Sequence, residues 1–224
     1  MNVDLRLYAL IDPAVAGGRT LGDLAQRIAG SATLVQLRDK HGSTRALVEE
    51  ARELTVVLAP LDIPLLINDR VDVALAAEAD GVHIGQDDMS PADARLLLGR
   101  TAIIGLSIKT VEQAKAAPLE HLDYVAVGGV YATTSKDDAK APIGVDGLRE
   151  VVQAIRARDP KFPICAIAGI NQSNAADVIA QGCDGVAVIS ALSLAPDPGA
   201  AATNLRAVVD AALARRRKSG VNLP

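Results

Sequence analysis

The sequence predicts an α/β fold, a single-domain (β/α)8 TIM barrel over residues 1–224, and three observations predict it. Short runs rich in Val, Ile and Leu alternate with longer stretches of helical periodicity from end to end, in eight pairs. Several of these runs are apolar at consecutive positions, as in Leu65–Ile67 and Val186–Ile189, which is the pattern of parallel strands covered on both faces. The units average about 28 residues, the length that eight strand–helix pairs need in a chain of 224 residues.

The first strand is Leu5–Asp12, followed by a helix at Leu21–Ala29. Thr33–Asp39 leads into Thr44–Ala59, with Ser43 as its N-cap. Pro64–Asp69 leads into Val71–Glu78, and Gly81–Gly85 into Pro91–Leu98, where Ser90 caps and Pro91 fits the first turn. Ala102–Ile108 precedes Val111–Ala117, with Thr110 and Gln113 spaced as a capping box. Tyr124–Val130 is followed by Val145–Arg158, Pro163–Gly169 by Gln172–Gln181 with Asn171 as cap, and Gly185–Ala191 by Gly199–Lys218. An open doubly wound sheet is the alternative, but it usually carries a Gly-rich fingerprint after an early strand, and neither GxGxxG nor GxxxxGK[ST] occurs.

Composition narrows the function. Half the residues are hydrophobic, and the formal charge is −4. With no Trp, one Phe and three Tyr, the chain offers few stacking platforms and an unfavourable charge for a phosphate backbone, so no nucleic-acid partner is expected. No apolar run is long enough to span a membrane and the N-terminus has no export signature, so a cytoplasmic protein with no membrane partner is expected. Cys165 and Cys183 share no metal-type spacing and read as buried thiols in a reducing compartment. The basic helical end around 215–224, with Arg215, Arg216, Arg217 and Lys218, reads as a solvated helix terminus. Whether the chain assembles with copies of itself is left open.

In such a barrel the chemistry collects where strands end, because the interior is packed and the C-terminal mouth is open. Strand two runs into Gln36-Leu37-Arg38-Asp39-Lys40, placing an amide and two cations at one exit. Strand three ends in Asn68-Asp69, and strand four leads into Gln86-Asp87-Asp88. Asp69 and Asp88, from adjacent loops, suit a Mg²⁺ ion held partly through phosphate oxygens; as helix caps they also make sense. Ser107 follows Gly105-Leu106, half of a nucleophile elbow, but only His41, His83 and His121 could serve as base, and a hydroxyl donor to an anion is the better reading. His83 reads as a satisfied interior histidine. After strand six comes a long polar loop holding Thr133, Thr134, Ser135 and Lys136. Gly169 and Ile189-Ser190 close strands seven and eight, where barrels often cradle a phosphate. The inventory is that of leaving-group stabilisation by cations and Mg²⁺ beside a second, phosphate-tagged substrate.

Taken in order, YALID, QLRDK, INDRVDVALAAEADGVHIGQDD, GLS, YVAVGGVYATTSK, AIAGI and VAVISAL resemble the thiamine-phosphate synthase (thiamin phosphate pyrophosphorylase) family over nearly the whole chain. The resemblance implies a transferase of thiamine biosynthesis joining hydroxymethylpyrimidine diphosphate to hydroxyethylthiazole phosphate, two small phosphorylated substrates. It implies Gln36, Leu37, Arg38, Asp39, Lys40, Asn68, Ser107 and Lys136 at the pyrimidine diphosphate, with Arg38, Lys40, Ser107 and Lys136 catalytic. Thr133, Thr134, Ser135, Gly169, Ile189 and Ser190 fall to the thiazole phosphate, and Asp69 and Asp88 to one Mg²⁺. The implied reaction is dissociative: diphosphate departs and the thiazole nitrogen captures a pyrimidine methylene cation.

The chain departs from the family pattern at Ser135, where Thr is frequent, at Ala132, where Pro is common, and at Ala168, in place of the first Gly of a Gly-Gly pair. A thiazole tautomerase or a non-catalytic regulatory paralogue on the same barrel is the alternative. Neither uses the diphosphate cations together with the metal carboxylates.

Overall fold

Eight parallel strands close in chain order in the computed structural model, which describes residues 3–133 and 141–218. They are β1 (Leu7–Ile11), β2 (Leu34–Leu37), β3 (Leu65–Asn68), β4 (Gly81–Ile84), β5 (Ile103–Ile108), β6 (Tyr124–Val127), β7 (Ile164–Ile167) and β8 (Gly185–Val188). β8 pairs with β1 through Leu7 and Val186, so the sheet has no free edge. The helices are α1 (Leu21–Ile28), α2 (Thr44–Leu58), α3 (Val71–Ala77), α4 (Pro91–Leu98), α5 (Val111–Ala116), α6 (Gly144–Arg156), α7 (Ala175–Ala180), α8 (Ser190–Ser193) and α9 (Pro198–Lys218).

Strand parity sorts the core. Tyr8, Leu10, Leu34, Leu66 and Tyr124 pack inside the barrel. Their neighbours Leu7, Ala9, Val35, Leu37 and Val125 face the helices and join the larger core beneath α1–α9. Gly105 is the notch that admits Tyr124: a Cβ there would lie 2.0 Å from the phenol Cζ.

Every strand is shorter than its apolar run. Asp69 (φ 64°), Gly129 (φ 73°) and Ala168 (φ 93°) turn the chain left-handed and end the ladders that those runs extend. Ser43 and Ser90 cap α2 and α4, and Thr110 with Gln113 forms the capping box of α5. The seventh helix begins three residues late, because Asn171 does not cap it. Asn171 Oδ1 instead accepts from the N–H (2.8 Å) and hydroxyl (2.7 Å) of Ser173, closing a local turn.

On the face opposite the mouth, Asp80, Asp123 and Asp184 each accept an N–H from the start of the preceding strand: Leu65 (2.8 Å), Ile104 (2.8 Å) and Ile164 (3.0 Å). Arg95 and Arg156 clamp the second and third of these carboxylates at 2.6 and 2.7 Å. Arg216 also binds Asp184 (3.0 Å) and donates to the carbonyls of Ile179 and Cys183, so this one residue of the basic end of α9 is docked, while Arg215, Arg217 and Lys218 are exposed. Residues 219–224 of that end lie outside the described residues. Among the described residues, no helix is long and apolar enough to cross a membrane.

Candidate active site

The strand ends place most of the sequence-predicted polar residues around one opening. Where β1 and β2 leave the barrel, Arg38 Nη1 pairs with Asp12 Oδ2, the side chains being only 13% and 3% exposed. Asp12 Oδ1 accepts the N–H of Ala14 at 2.9 Å, so one carboxylate both starts a turn and aims the guanidinium. Gln36 shares the lumen parity of Leu34, is buried, and binds the Tyr8 hydroxyl.

Leu37, one residue out of phase with Gln36, packs its side chain fully buried in the helix-facing core, so only its main chain is left to face the mouth. Asp39 spends its carboxylate on the turn, accepting from the N–H groups of His41 (2.8 Å) and Gly42 (2.9 Å).

Asp69 and Asp88 meet between the β3 and β4 exits. Lys40 Nζ pairs with Asp69 Oδ2, which also accepts from Asn68 Nδ2 at 2.7 Å, and Asp88 Oδ2 accepts the N–H of Gly85 at 2.7 Å. Burial alone would raise the Asp69 pKa, but hydrogen bonds from Lys40 and Asp88 outweigh it and hold this carboxyl below its usual range. Burial, then the hydrogen bond with Asp69, pushes Asp88 up. Two carboxylates from adjacent strand ends therefore shift in opposite directions, as neighbouring like charges do. Neither caps a helix: Arg70 stands at the N-cap of α3 and Ser90 at that of α4. No group of three or more His, Cys, Asp or Glu able to hold a metal occurs among the described residues. Two carboxylates still fit Mg²⁺, which keeps waters and takes substrate phosphate oxygens rather than a full protein cage.

Ser107 Oγ lies 2.8 Å from His83 Nε2, and His83 Nδ1 lies 2.8 Å from the Tyr124 hydroxyl. The histidine is interior and partnered on both nitrogens, as a core histidine should be, and it joins the Ser107 and Tyr124 hydroxyls.

Beyond β7 and β8 a cavity of about 460 Å³ opens between Ala132-Thr133, Ala168-Gly169 and Ile189-Ser190. Ser190 begins α8, and the first N–H groups of a helix have no intrahelical acceptor. Gly169 (φ 64°) serves the chain itself here: a Cβ would lie 2.4 Å from the Ala132 carbonyl oxygen, so glycine lets the loop after β6 close on the β7 end. Thr134, Ser135 and Lys136 lie outside the described residues.

Sequence reasoning passed over Asp12, Tyr8 and Tyr124. A lone carboxylate after an apolar strand reads as a turn former, which Asp12 also is, and the tyrosines read as core because their rings are core.

Residues 7–192 match the family model described as thiamine monophosphate synthase. The chain belongs to the thiamine monophosphate synthase family. It is 50% identical over 208 residues to the thiamine-phosphate synthase of Chloroflexus aurantiacus, covering 92% of this chain and 94% of that one. A thiamine-phosphate synthase of Agrobacterium fabrum is 45% identical over 217 residues, covering 96% and 99%. Among solved structures, a thiamine phosphate pyrophosphorylase from Pyrococcus furiosus superposes with a TM-score of 0.82 at 35% identity, covering 95% of this chain and 98% of that one. A 3-hexulose-6-phosphate synthase, at TM-score 0.61 and 17% identity over 91% of this chain and 99% of that one, shares the barrel alone.

Proposed function

We propose that this mouth carries out the thiamine-phosphate synthase reaction, a transfer in which hydroxymethylpyrimidine diphosphate and hydroxyethylthiazole phosphate give thiamine phosphate and diphosphate. The observation that carries the reading is the pairing of two stations in one mouth. Arg38, Lys40, Asn68, Asp69 and Asp88 gather at the ends of β2–β4, and a separate cavity lies at the ends of β7 and β8.

Arg38 and Lys40 supply the positive charge that a departing diphosphate needs, with Lys136 joining them by family resemblance. Gln36 and Ser107 hold the pyrimidine end. Mg²⁺, which Asp69 and Asp88 would hold, supplies further charge to the leaving group when bound. The C–O bond breaks with its electron pair going to diphosphate, and the thiazole nitrogen lone pair forms the C–N bond to the methylene carbon. No strong base is required. Thr133, Gly169, Ile189 and Ser190 line the cavity assigned to the thiazole phosphate, with Thr134 and Ser135 assigned to it by resemblance. A tautomerase or a regulatory paralogue would have no use for the Arg38, Lys40, Asp69 and Asp88 set. Two buried free thiols suit the reducing cytoplasm where we place the enzyme.

Calorimetric titration separates the two stations. Ser190→Asp sets a carboxylate against the phosphate and should weaken thiazole phosphate binding more than tenfold while leaving Mg²⁺-dependent pyrimidine diphosphate binding unchanged. Equal loss of both, or of neither, would contradict the two-station reading.

A further inference from the structure

Five polar side chains run in a line through the otherwise apolar interior. Gln36 meets the Tyr8 hydroxyl, which lies 2.9 Å from that of Tyr124; Tyr124 meets His83 Nδ1 at 2.8 Å, and His83 Nε2 meets Ser107 Oγ at 2.8 Å. Burial pushes the pKa of both phenols up, so each keeps its proton, and every link needs one donor and one acceptor.

A line of single-proton links runs one way throughout. With Tyr124 as donor to Tyr8, its remaining role toward His83 is acceptor, and Nδ1 carries a hydrogen. In the neutral imidazole Nε2 is then bare and accepts from Ser107. In the other direction, the Tyr8 oxygen already receives the Tyr124 proton. Among the described residues, its own proton has one neighbour left, the Gln36 amide. Set with Nε2 toward Tyr8, that amide leaves the Tyr8 proton without an acceptor and its own buried Oε1 without a partner. Amide oxygen and nitrogen are told apart by their partners, and in this direction the turned amide, Oε1 toward Tyr8, closes the line; the reverse order, starting from a Gln36 N–H, would put the His83 proton on Nε2. With the amide turned, each residue donates to the next in the order Ser107, His83, Tyr124, Tyr8, Gln36.

We propose that Tyr8, Tyr124 and His83 are positioning residues that fix the polarity of the mouth, turning Gln36 to offer an N–H donor and Ser107 to offer an oxygen acceptor. The ligand side of this inference rests on the reading above that Gln36 and Ser107 hold the pyrimidine. Such a ligand must bring an acceptor to Gln36 and a donor to Ser107, and an amino-substituted nitrogen heterocycle carries both. Ser107 is thereby an acceptor toward substrate, against the sequence expectation of a hydroxyl donor.

The test is ¹⁵N NMR of the ligand-free enzyme labelled at histidine, with His83 distinguished from His41 and His121 by a His83→Gln control. The expected result is the Nδ1–H tautomer. In Tyr8→Phe, which removes no atom bonded to His83 and whose ring centroid lies 6.3 Å from the imidazole, Tyr124 loses its acceptor and turns its proton to Nδ1. His83 should switch to the Nε2–H tautomer. The KM for pyrimidine diphosphate should rise at least about tenfold, with that for thiazole phosphate unchanged. An Nε2–H tautomer in the unmodified enzyme, or an unchanged tautomer in a folded Tyr8→Phe, would overturn the proposal. If that variant does not fold, the tautomer of the unmodified enzyme decides alone. The NMR readout needs no substrate, so an inactive enzyme with the Nδ1–H tautomer would uphold the line and defeat only the reaction assigned above.

Discussion

Asp12 holds Arg38 in a buried ion pair at the exits of β1 and β2, so the guanidinium is aimed before any substrate arrives. Preorganised charge is worth more than charge that must be gathered during the reaction, because no reorganisation remains to be done at the transition state.

Asp12→Asn keeps the side chain's size and its turn hydrogen bond but removes the charge that orients Arg38. The kcat/KM for pyrimidine diphosphate should fall by about 10- to 100-fold, chiefly through kcat, and stability should fall by up to about 3–5 kcal/mol because Arg38 is left buried without its partner. Steady-state kinetics and a melting curve check it. An unchanged kcat would mean that Arg38 finds its place without Asp12.

Asp69 and Asp88 push each other's carboxyl pKa apart where one cation would satisfy both. Asp88→Asn leaves Asp69 with Lys40 and removes half of the proposed metal site. The Mg²⁺ concentration giving half-maximal rate should rise at least about tenfold, a loss of about 1.4 kcal/mol of binding, and calorimetric Mg²⁺ affinity should fall in parallel. Unaltered metal dependence would remove Asp88 from the site.

The barrel was legible because it rests on many repeated signals: eight apolar runs, serine and threonine caps, and turns at regular spacing. The gathering of Gln36, Arg38, Lys40, Asn68, Asp69 and Asp88 around β2–β4 could be read because polar residues cluster at those strand exits in the sequence. Tyr8 and Tyr124 could not be, since hydroxyl partnerships between residues 116 positions apart leave no local pattern. The four residues of α8 are too few for periodicity, and strand parity turns the Leu37 side chain outward from its polar neighbours.

Ala168 stands at φ 93°, a conformation that glycine adopts freely and alanine does not. Backbone strain of this kind costs about 1–3 kcal/mol, against a smaller entropic penalty for introducing glycine. Ala168→Gly should therefore stabilise the fold by about 1 kcal/mol and raise the melting temperature by about 2–4 °C. A lower melting temperature would show that no such strain is stored.

Burial pushes the Cys183 thiol up to about 12 and the Cys165 thiol well above its ordinary value. A raised folded pKa means that the native state keeps protons the unfolded state gives up, so this contribution is intact below pH 9.0 and is lost between there and about 12. A thiol reagent at pH 8 should find no reactive cysteine in the native enzyme and two after denaturation, and stability should decline as the pH rises above 9.0. Rapid native labelling would contradict the buried placement.

The most direct test of the whole account is one assay of the purified protein with hydroxymethylpyrimidine diphosphate and hydroxyethylthiazole phosphate, with and without Mg²⁺, reading diphosphate and thiamine phosphate together. The account predicts equal amounts of both, formed only with the metal. Thiazole phosphate binding with no thiamine phosphate formed, or product formation indifferent to Mg²⁺, would contradict it.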